Sequence, residues 1–145
     1  MMTEEVEDQP IAISKAVADL ALLALEHGMA SRRDGAALVP FVLLESGGTR
    51  YMHRFAEGTD EQAVAEAKTY VSRLPNSTNA CVIAYDGFVT IEGTKFDAIL
   101  AIGCEQNAPS SYVFAQRYDG AATPATLIGS PAFIGTNDSI LGTTL

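Results

Sequence analysis

His53 is the residue whose type and neighbours best suit acid–base chemistry in this sequence. It lies in an alternating run in which Tyr51, His53 and Phe55 share one strand face, while Arg50 and Arg54 flank the histidine along the chain. Beside a cleft, an imidazole acts as a general acid or base near neutral pH. A half-buried imidazole that is satisfied by hydrogen bonds has only a structural role. The pattern favours the structural role and leaves the catalytic one open.

Three residues of later β runs complete a candidate pocket with His53, namely Tyr85, Asp86 and Arg117. Charges such as Asp86 and Arg117 in neighbouring strands form either a ladder of salt bridges on an exposed face or the polar end of a pocket. An apolar cavity that held these groups together would indicate a small-molecule sensor or an enzyme. The candidate ligand-binding residues are therefore His53, Tyr85, Asp86 and Arg117, and no catalytic residue is assigned.

The sequence contains no motif for metal binding, nucleotide binding or nucleophilic catalysis. The two histidines, His27 and His53, are far apart and do not belong to a metal-ligand pattern. Cys81 and Cys104 both lie in apolar runs, where reduced cysteines are usually core residues. Neither a dinucleotide-binding nor a phosphate-binding glycine motif occurs. The sequence therefore predicts no metal site and no cofactor.

The charge of the chain restricts its partners and its location. The 145 residues carry a formal net charge of −9 with only nine basic residues, whereas a phosphate backbone requires clustered lysine and arginine. The longest apolar run, residues 16 to 25, is too short for a membrane span of about 20 residues. The N-terminus is acidic, unlike that of a signal peptide. We expect a cytoplasmic protein that binds neither nucleic acid nor membranes.

Two helices are predicted. The first begins at Pro10, runs to His27 and ends at Gly28, and it is apolar nearly all round, which is typical of a helix pressed between layers or against a partner. The second spans residues 59 to 74, where Thr59 and Gln62 make a capping box. The first helix is the unusual one because its polar strip is thin.

The remaining pattern is that of an antiparallel sheet. Residues 37 to 45 and 50 to 55 form a hairpin, and apolar runs from Asn79 to Tyr118 add three strands. Asp86-Gly87 is interpreted as a bulge within one strand rather than a turn, because Glu92-Gly93 offers a turn nearby. The segment 120–145 carries one charged residue, Asp138, and is expected to add a last strand or to cover the sheet.

We therefore expect one domain over residues 1–145, with residues 1–8 disordered and 120–145 a charge-poor C-terminal extension. The fold class is α+β, a two-layer arrangement with two helices on one side of a mostly antiparallel sheet. The expected order is α-β-β-α-β-β-β, with an optional last strand.

One segment resembles a known group of sequences. It comprises Ala84-Tyr85-Asp86-Gly87-Phe88-Val89-Thr90-Ile91-Glu92-Gly93, then Phe96-Asp97-Ala98-Ile99 and Phe114-Ala115-Gln116-Arg117-Tyr118. These motifs are similar to an uncharacterised family of small bacterial proteins, mainly over residues 80–119. The resemblance implies no known reaction, and it directs attention to Asp86, Gly87, Arg117 and Tyr118.

Function is expected to rest on association rather than catalysis. The apolar first helix, the charge-poor C-terminal segment and the lack of a convergent chemical motif together favour a non-enzymatic module that self-associates or binds a protein. A homodimer is the commonest assembly and is the default expectation. The alternative is the small-molecule sensor or enzyme with a pocket near the four candidate residues.

Overall fold

A computed structural model describes residues 13–141 as two helices and a six-stranded antiparallel sheet. The predicted α+β class with an antiparallel sheet is confirmed. Residues 1–8, for which disorder is predicted, lie outside the described residues. In chain order the elements are α1 (Lys15–Arg33), β1 (Phe41–Ser46), β2 (Thr49–Arg54), α2 (Asp60–Ser72), β3 (Thr78–Ile91), β4 (Thr94–Glu105), β5 (Ser110–Asp119) and β6 (Thr126–Asp138).

Tight turns join most neighbouring strands, and the sheet order is β2-β1-β3-β4-β5-β6. Gly47 and Gly48 connect β1 to β2 with positive φ angles of 58° and 82°. Glu92 and Gly93 connect β3 to β4 with φ angles of 51° and 82°. Two central residues with positive φ match the twist of the flanking strands, so both turns favour hairpins. The charge-poor C-terminal segment supplies β6, an edge strand.

The boundaries of α1 differ from the prediction. Ser14 caps the helix by accepting a hydrogen bond from the Val17 amide, and the helix continues past Gly28 to Arg33. The predicted start at Pro10 lies outside the described residues. Gly28 does not end the helix, because it is buried where α1 approaches the sheet. A Cβ at this position would lie 2.8 Å from Ile99 Cγ2, so the glycine serves close packing.

The second helix begins where its capping box predicts. Thr59 Oγ1 accepts a hydrogen bond from the Gln62 amide at 3.2 Å, and Gln62 Oε1 accepts one from the Thr59 amide at 2.8 Å. The buried residues of α2 are small and few, namely Ala63, Ala67 and Val71. The helix therefore covers only a narrow part of the sheet.

The two helices lie on opposite faces of the sheet, so the predicted two-layer arrangement is wrong. Phe41 and Leu43 of β1 pack in one core with α1, whereas Val42 and Leu44 pack in a second core with α2. Because successive residues of a strand point to opposite faces, these two cores lie on the two sides of the sheet. We call them the α1 side and the α2 side.

Asp86-Gly87 is neither a turn nor a bulge. The pairing of β3 with β4 continues without a register shift from Ala80 opposite Glu105 to Ile91 opposite Thr94. Gly87 instead accommodates the Leu100 side chain, whose Cδ1 would lie 2.9 Å from an added Cβ. The single long strand was expected, but its glycine is explained by close packing against the neighbouring strand.

Candidate functional site

Asp86 lies at the centre of a polar cluster on the α1 side. The Tyr118 hydroxyl of β5 donates a hydrogen bond to Asp86 Oδ1 at 2.7 Å. Arg32 of α1 places its Nε 3.8 Å from Asp86 Oδ2, and its guanidinium lies over the Tyr118 ring at 5.6 Å. The cluster therefore joins the last turn of α1 to β3 and β5.

Burial governs the protonation of this cluster. Partial burial raises the pKa of the Asp86 carboxyl above its ordinary value, and nearby Asp97 adds to the effect, although the Tyr118 hydrogen bond and Arg32 oppose it. Burial, followed by the hydrogen bond to Asp86, raises the pKa of Tyr118. Tyr118 thus stays a neutral donor at physiological pH. The cluster can therefore hold a proton or a charge.

A cavity of about 560 Å³ lies beside the cluster, between the end of α1 and the loop that joins β5 to β6. Arg32 and Arg33 line it from the helix, and Gly120 and Thr123 line it from the loop. The Arg32 guanidinium also donates to the Ala36 carbonyl oxygen at 3.2 Å. Its Nε is buried and finds no hydrogen-bond partner among the described residues. The end of α1 therefore carries cationic groups that are only partly neutralised.

The four predicted site residues do not converge. Tyr85 and Asp86 are consecutive in β3, so their side chains lie on opposite faces of the sheet. His53 and Arg117 share the α2 side with Tyr85, but they sit on β2 and β5, with β1, β3 and β4 between them. The structure therefore brings Asp86 together with Arg32 and Tyr118 instead.

His53 and Arg117 each pack against aromatic rings. The His53 ring stacks on Tyr70 of α2 at 4.7 Å and contacts Phe55 at 4.6 Å. The residue is exposed, so the expected half-buried position is wrong. The Arg117 guanidinium covers the Phe96 ring at 4.7 Å. Such contacts place a charged or polar tip above an apolar surface. His53 and Arg117 therefore contact two separate sets of aromatic residues.

The α2 side of the sheet is only half covered by helix. The buried residues of α2 pack against β1 and β3, with Cys104 of β4 at the margin. Beyond this margin, the end of β3 and parts of β4 to β6 present a less covered apolar area that we call the open face; its side chains include Ile91, Phe96, Leu100, Val113 and Ile134. Ile91 and Ile134 are 43% and 49% exposed. A cavity of about 410 Å³ lies on this face and is lined by Ile91, Ala115, Arg117 and Ile134.

The cysteines are directly opposed in the sheet. Cys81 of β3 pairs with Cys104 of β4, and both are free and buried on the α2 side. Burial, with a smaller contribution from Cys104, raises the pKa of the Cys81 thiol, so this thiol is a poor nucleophile. Over residues 13–141 no three histidine, cysteine, aspartate or glutamate side chains are grouped so that they could hold a metal ion.

Models of protein families, curated proteins and solved structures contain no match to this chain. The resemblance over residues 80–119 thus stays a prediction. Within the described part of the chain, neither helix has the length and apolar character that crossing a membrane requires.

Sequence reasoning missed Arg32 as a site residue and named Tyr118 only through the resemblance. The partners of Asp86 are 54 residues before it and 32 residues after it in the chain. No local motif marks a contact over such separations. The position of Tyr118 follows from the register of three strands, in which Tyr118 lies opposite Asp97 and Asp97 lies opposite Phe88.

Proposed function

We propose that this chain is a non-enzymatic, self-associating module whose interface is the open face. The proposal rests on one observation: α2 covers much less area than its side of the sheet offers. A helix of 13 residues with three small buried side chains covers two strands, and three long strands continue beyond it. Apolar surface that is contiguous and framed by polar residues is typical of interfaces.

Charge restricts the surface on which a second copy can bind. Two chains with a net charge of −9 repel each other, so a contact between copies is favoured where charges are fewest. The open face meets this condition, because Arg117 is its central charge and already lies on Phe96. The same net charge disfavours nucleic acid as a partner. A two-fold dimer would place this face against itself.

The size of the open face predicts a weak dimer. Strands lie about 4.8 Å apart and rise about 3.3 Å per residue, so three strands of ten residues span at most roughly 500 Å² in each copy. The available area is smaller, because Ala98, Ile102, Cys104 and Ala115 are already buried. A pair would bury at most roughly 1,000 Å², near the lower limit for a specific interface. We expect a monomer–dimer equilibrium in the micromolar range. The cytoplasmic location stays a prediction from sequence.

Analytical ultracentrifugation over a concentration series tests this proposal. Ile134→Asp places a charge on the open face at an exposed position, so we expect it to shift the equilibrium to monomer while the thermal unfolding midpoint changes little. Leu127→Asp is the matched control, because Leu127 is 47% exposed on the same strand but faces the α1 side. A wild-type protein that stays strictly monomeric up to hundreds of micromolar would sink the proposal.

The alternative hypothesis was a small-molecule pocket near His53, Tyr85, Asp86 and Arg117. These four residues do not share a cavity, so we do not propose that pocket. No observation on the α2 side favours a ligand over a protein surface.

A further inference from the structure

A groove on the α1 side separates α1 from β6. Its volume is about 480 Å³, within the usual range for small-molecule sites, and Leu22, Leu25, Met29 and Leu127 are among the apolar residues that line it. Leu22 and Leu127 are 45% and 47% exposed at its sides. Leu22 explains part of the unusual apolar character of α1, because it faces the groove and is not part of the core.

The wall formed by β6 is held in place by specific hydrogen bonds. The register of β5 and β6 shifts between Ala115 and Arg117, where the strand bends at Gly129 with a φ of 68°. Gln116 is buried beneath this bend, and its Nε2 donates to the carbonyl oxygens of Ile128 at 3.4 Å and Gly129 at 3.2 Å. The groove is thus a fixed feature of the fold, with Gln116 at its base.

One end of the groove is cationic. Arg33 lines both this groove and the cavity beside the Asp86 cluster, and Arg32 also lines that cavity. Arg33 forms no salt bridge with any of residues 13–141. Glu26 lines the groove two helical turns earlier. An anionic group is therefore attracted to the Arg33 end and repelled from the middle, which gives the groove a polarity.

We propose that the groove binds a single-chain anionic amphiphile, with its apolar tail along Leu22, Leu25 and Met29 and its carboxylate on Arg33. From Leu22 to Arg33 the helix rises about 16 Å, at 1.5 Å per residue. A peptide helix of that length and a diameter of about 10 Å would occupy roughly 1,300 Å³, well above the volume of the groove. A flexible alkyl chain fits, and the single cation at the end selects an acid.

This inference does not rest on the proposed self-association, because the open face and the groove lie on opposite sides of the sheet. Ile134→Asp should therefore abolish dimerisation and leave ligand binding unchanged. Leu127→Asp should do the reverse. Failure of one proposal is thus distinguishable from failure of the other.

Isothermal titration with decanoate, below its micelle concentration, tests the groove. We expect saturable binding at one site per chain, with about fourfold tighter binding for each methylene added from octanoate to decanoate. Arg33→Gln should weaken decanoate binding at least about tenfold and leave decanol binding unchanged. The matched control is Arg50→Gln, which removes an exposed cation from the opposite edge of the sheet and should have no effect.

Three results would overturn the inference. The first is a lack of saturable binding by the intact protein, and the second is decanol binding as tightly as decanoate. The third is co-sedimentation with phosphatidylglycerol vesicles that Arg33→Gln abolishes while free decanoate fails to bind, since this would assign the groove to a membrane surface.

Discussion

The two sides of the sheet differ in how much of each is covered by a helix. On the α1 side, a 19-residue helix buries seven residues against the sheet, and a polar cluster attaches its last turn to β3 and β5. On the α2 side, a 13-residue helix buries three residues and does not extend over β4 to β6 beyond Cys104. The α1 side thus has the larger helix-covered core, whereas more of the sheet lies beyond the helix on the α2 side. This difference is the basis of our proposal that the α2 side associates.

The two edges of the sheet repeat this contrast. β2 has six residues and carries Arg50, His53 and Arg54, and charged residues on an edge discourage pairing with other chains. β6 has 13 residues, of which Asp138 is the single charged one. Pro131 and the bend at Gly129 interrupt its outer edge, so we assign the interface to the open face rather than to edge pairing.

The largest expected effect comes from truncating the α1 core. Leu20 is fully buried against the sheet, and Leu20→Ala should lower the free energy of unfolding by about 2–5 kcal/mol because it removes apolar contacts and leaves a cavity. Urea unfolding followed by circular dichroism measures this change. Leu23→Ala, on the exposed part of the same helix, is the control and should stay within about 0.5 kcal/mol. Equal losses in both variants would contradict the assignment of the core to one stripe of α1.

A smaller effect is expected where α1 approaches the sheet most closely. A methyl group on Gly28 would lie 2.8 Å from Ile99 and 3.3 Å from Leu38, so Gly28→Ala forces these side chains apart. Crowding in a packed core costs about 1–3 kcal/mol, and the better helix propensity of alanine offsets about 1 kcal/mol of it. We expect a net loss of about 1 kcal/mol in urea unfolding.

Gly135 provides the control for this substitution, because a Cβ there would meet no atom within 4 Å. Gly135→Ala should leave the stability nearly unchanged. A stabilising Gly28→Ala variant would show that the helix can move away from β4 at little cost, and it would weaken the contrast between the two sides.

The smallest effect concerns the charge of Asp86. Because its pKa is raised in the folded protein, the native state binds more protons than the unfolded state above the ordinary value of 3.8. The free energy of unfolding of the wild-type protein should therefore fall, relative to that of Asp86→Asn, as the pH rises from about 4 through the raised pKa. The asparagine stays neutral and its amide oxygen can still accept the Tyr118 hydrogen bond.

Urea unfolding at several pH values between 4 and 8 measures this difference, with the exposed Asp138→Asn as the reference. The opposite trend, in which the wild-type protein gains stability over Asp86→Asn with rising pH, would show that attraction to Arg32 outweighs burial.

Local interactions made several features predictable from sequence. The start of α2 follows from the capping box of Thr59 and Gln62, whose two hydrogen bonds join residues three apart. The β3–β4 turn follows from Glu92-Gly93, since the backbone needs positive φ there. In α1, the buried Val17, Leu20, Ala21 and Ala24 follow the spacing of one helical face.

Tertiary structure alone decided the end of α1, the side of the sheet that each helix covers and the partners of Asp86. A glycine at a helix end and a glycine at a close helix–sheet contact look alike in sequence, and only the position of Ile99 distinguishes them. Alternation shows that Tyr85 and Asp86 face opposite ways, but it does not show which helix each one meets. That choice depends on how the chain crosses the sheet, a property of contacts between residues far apart in sequence.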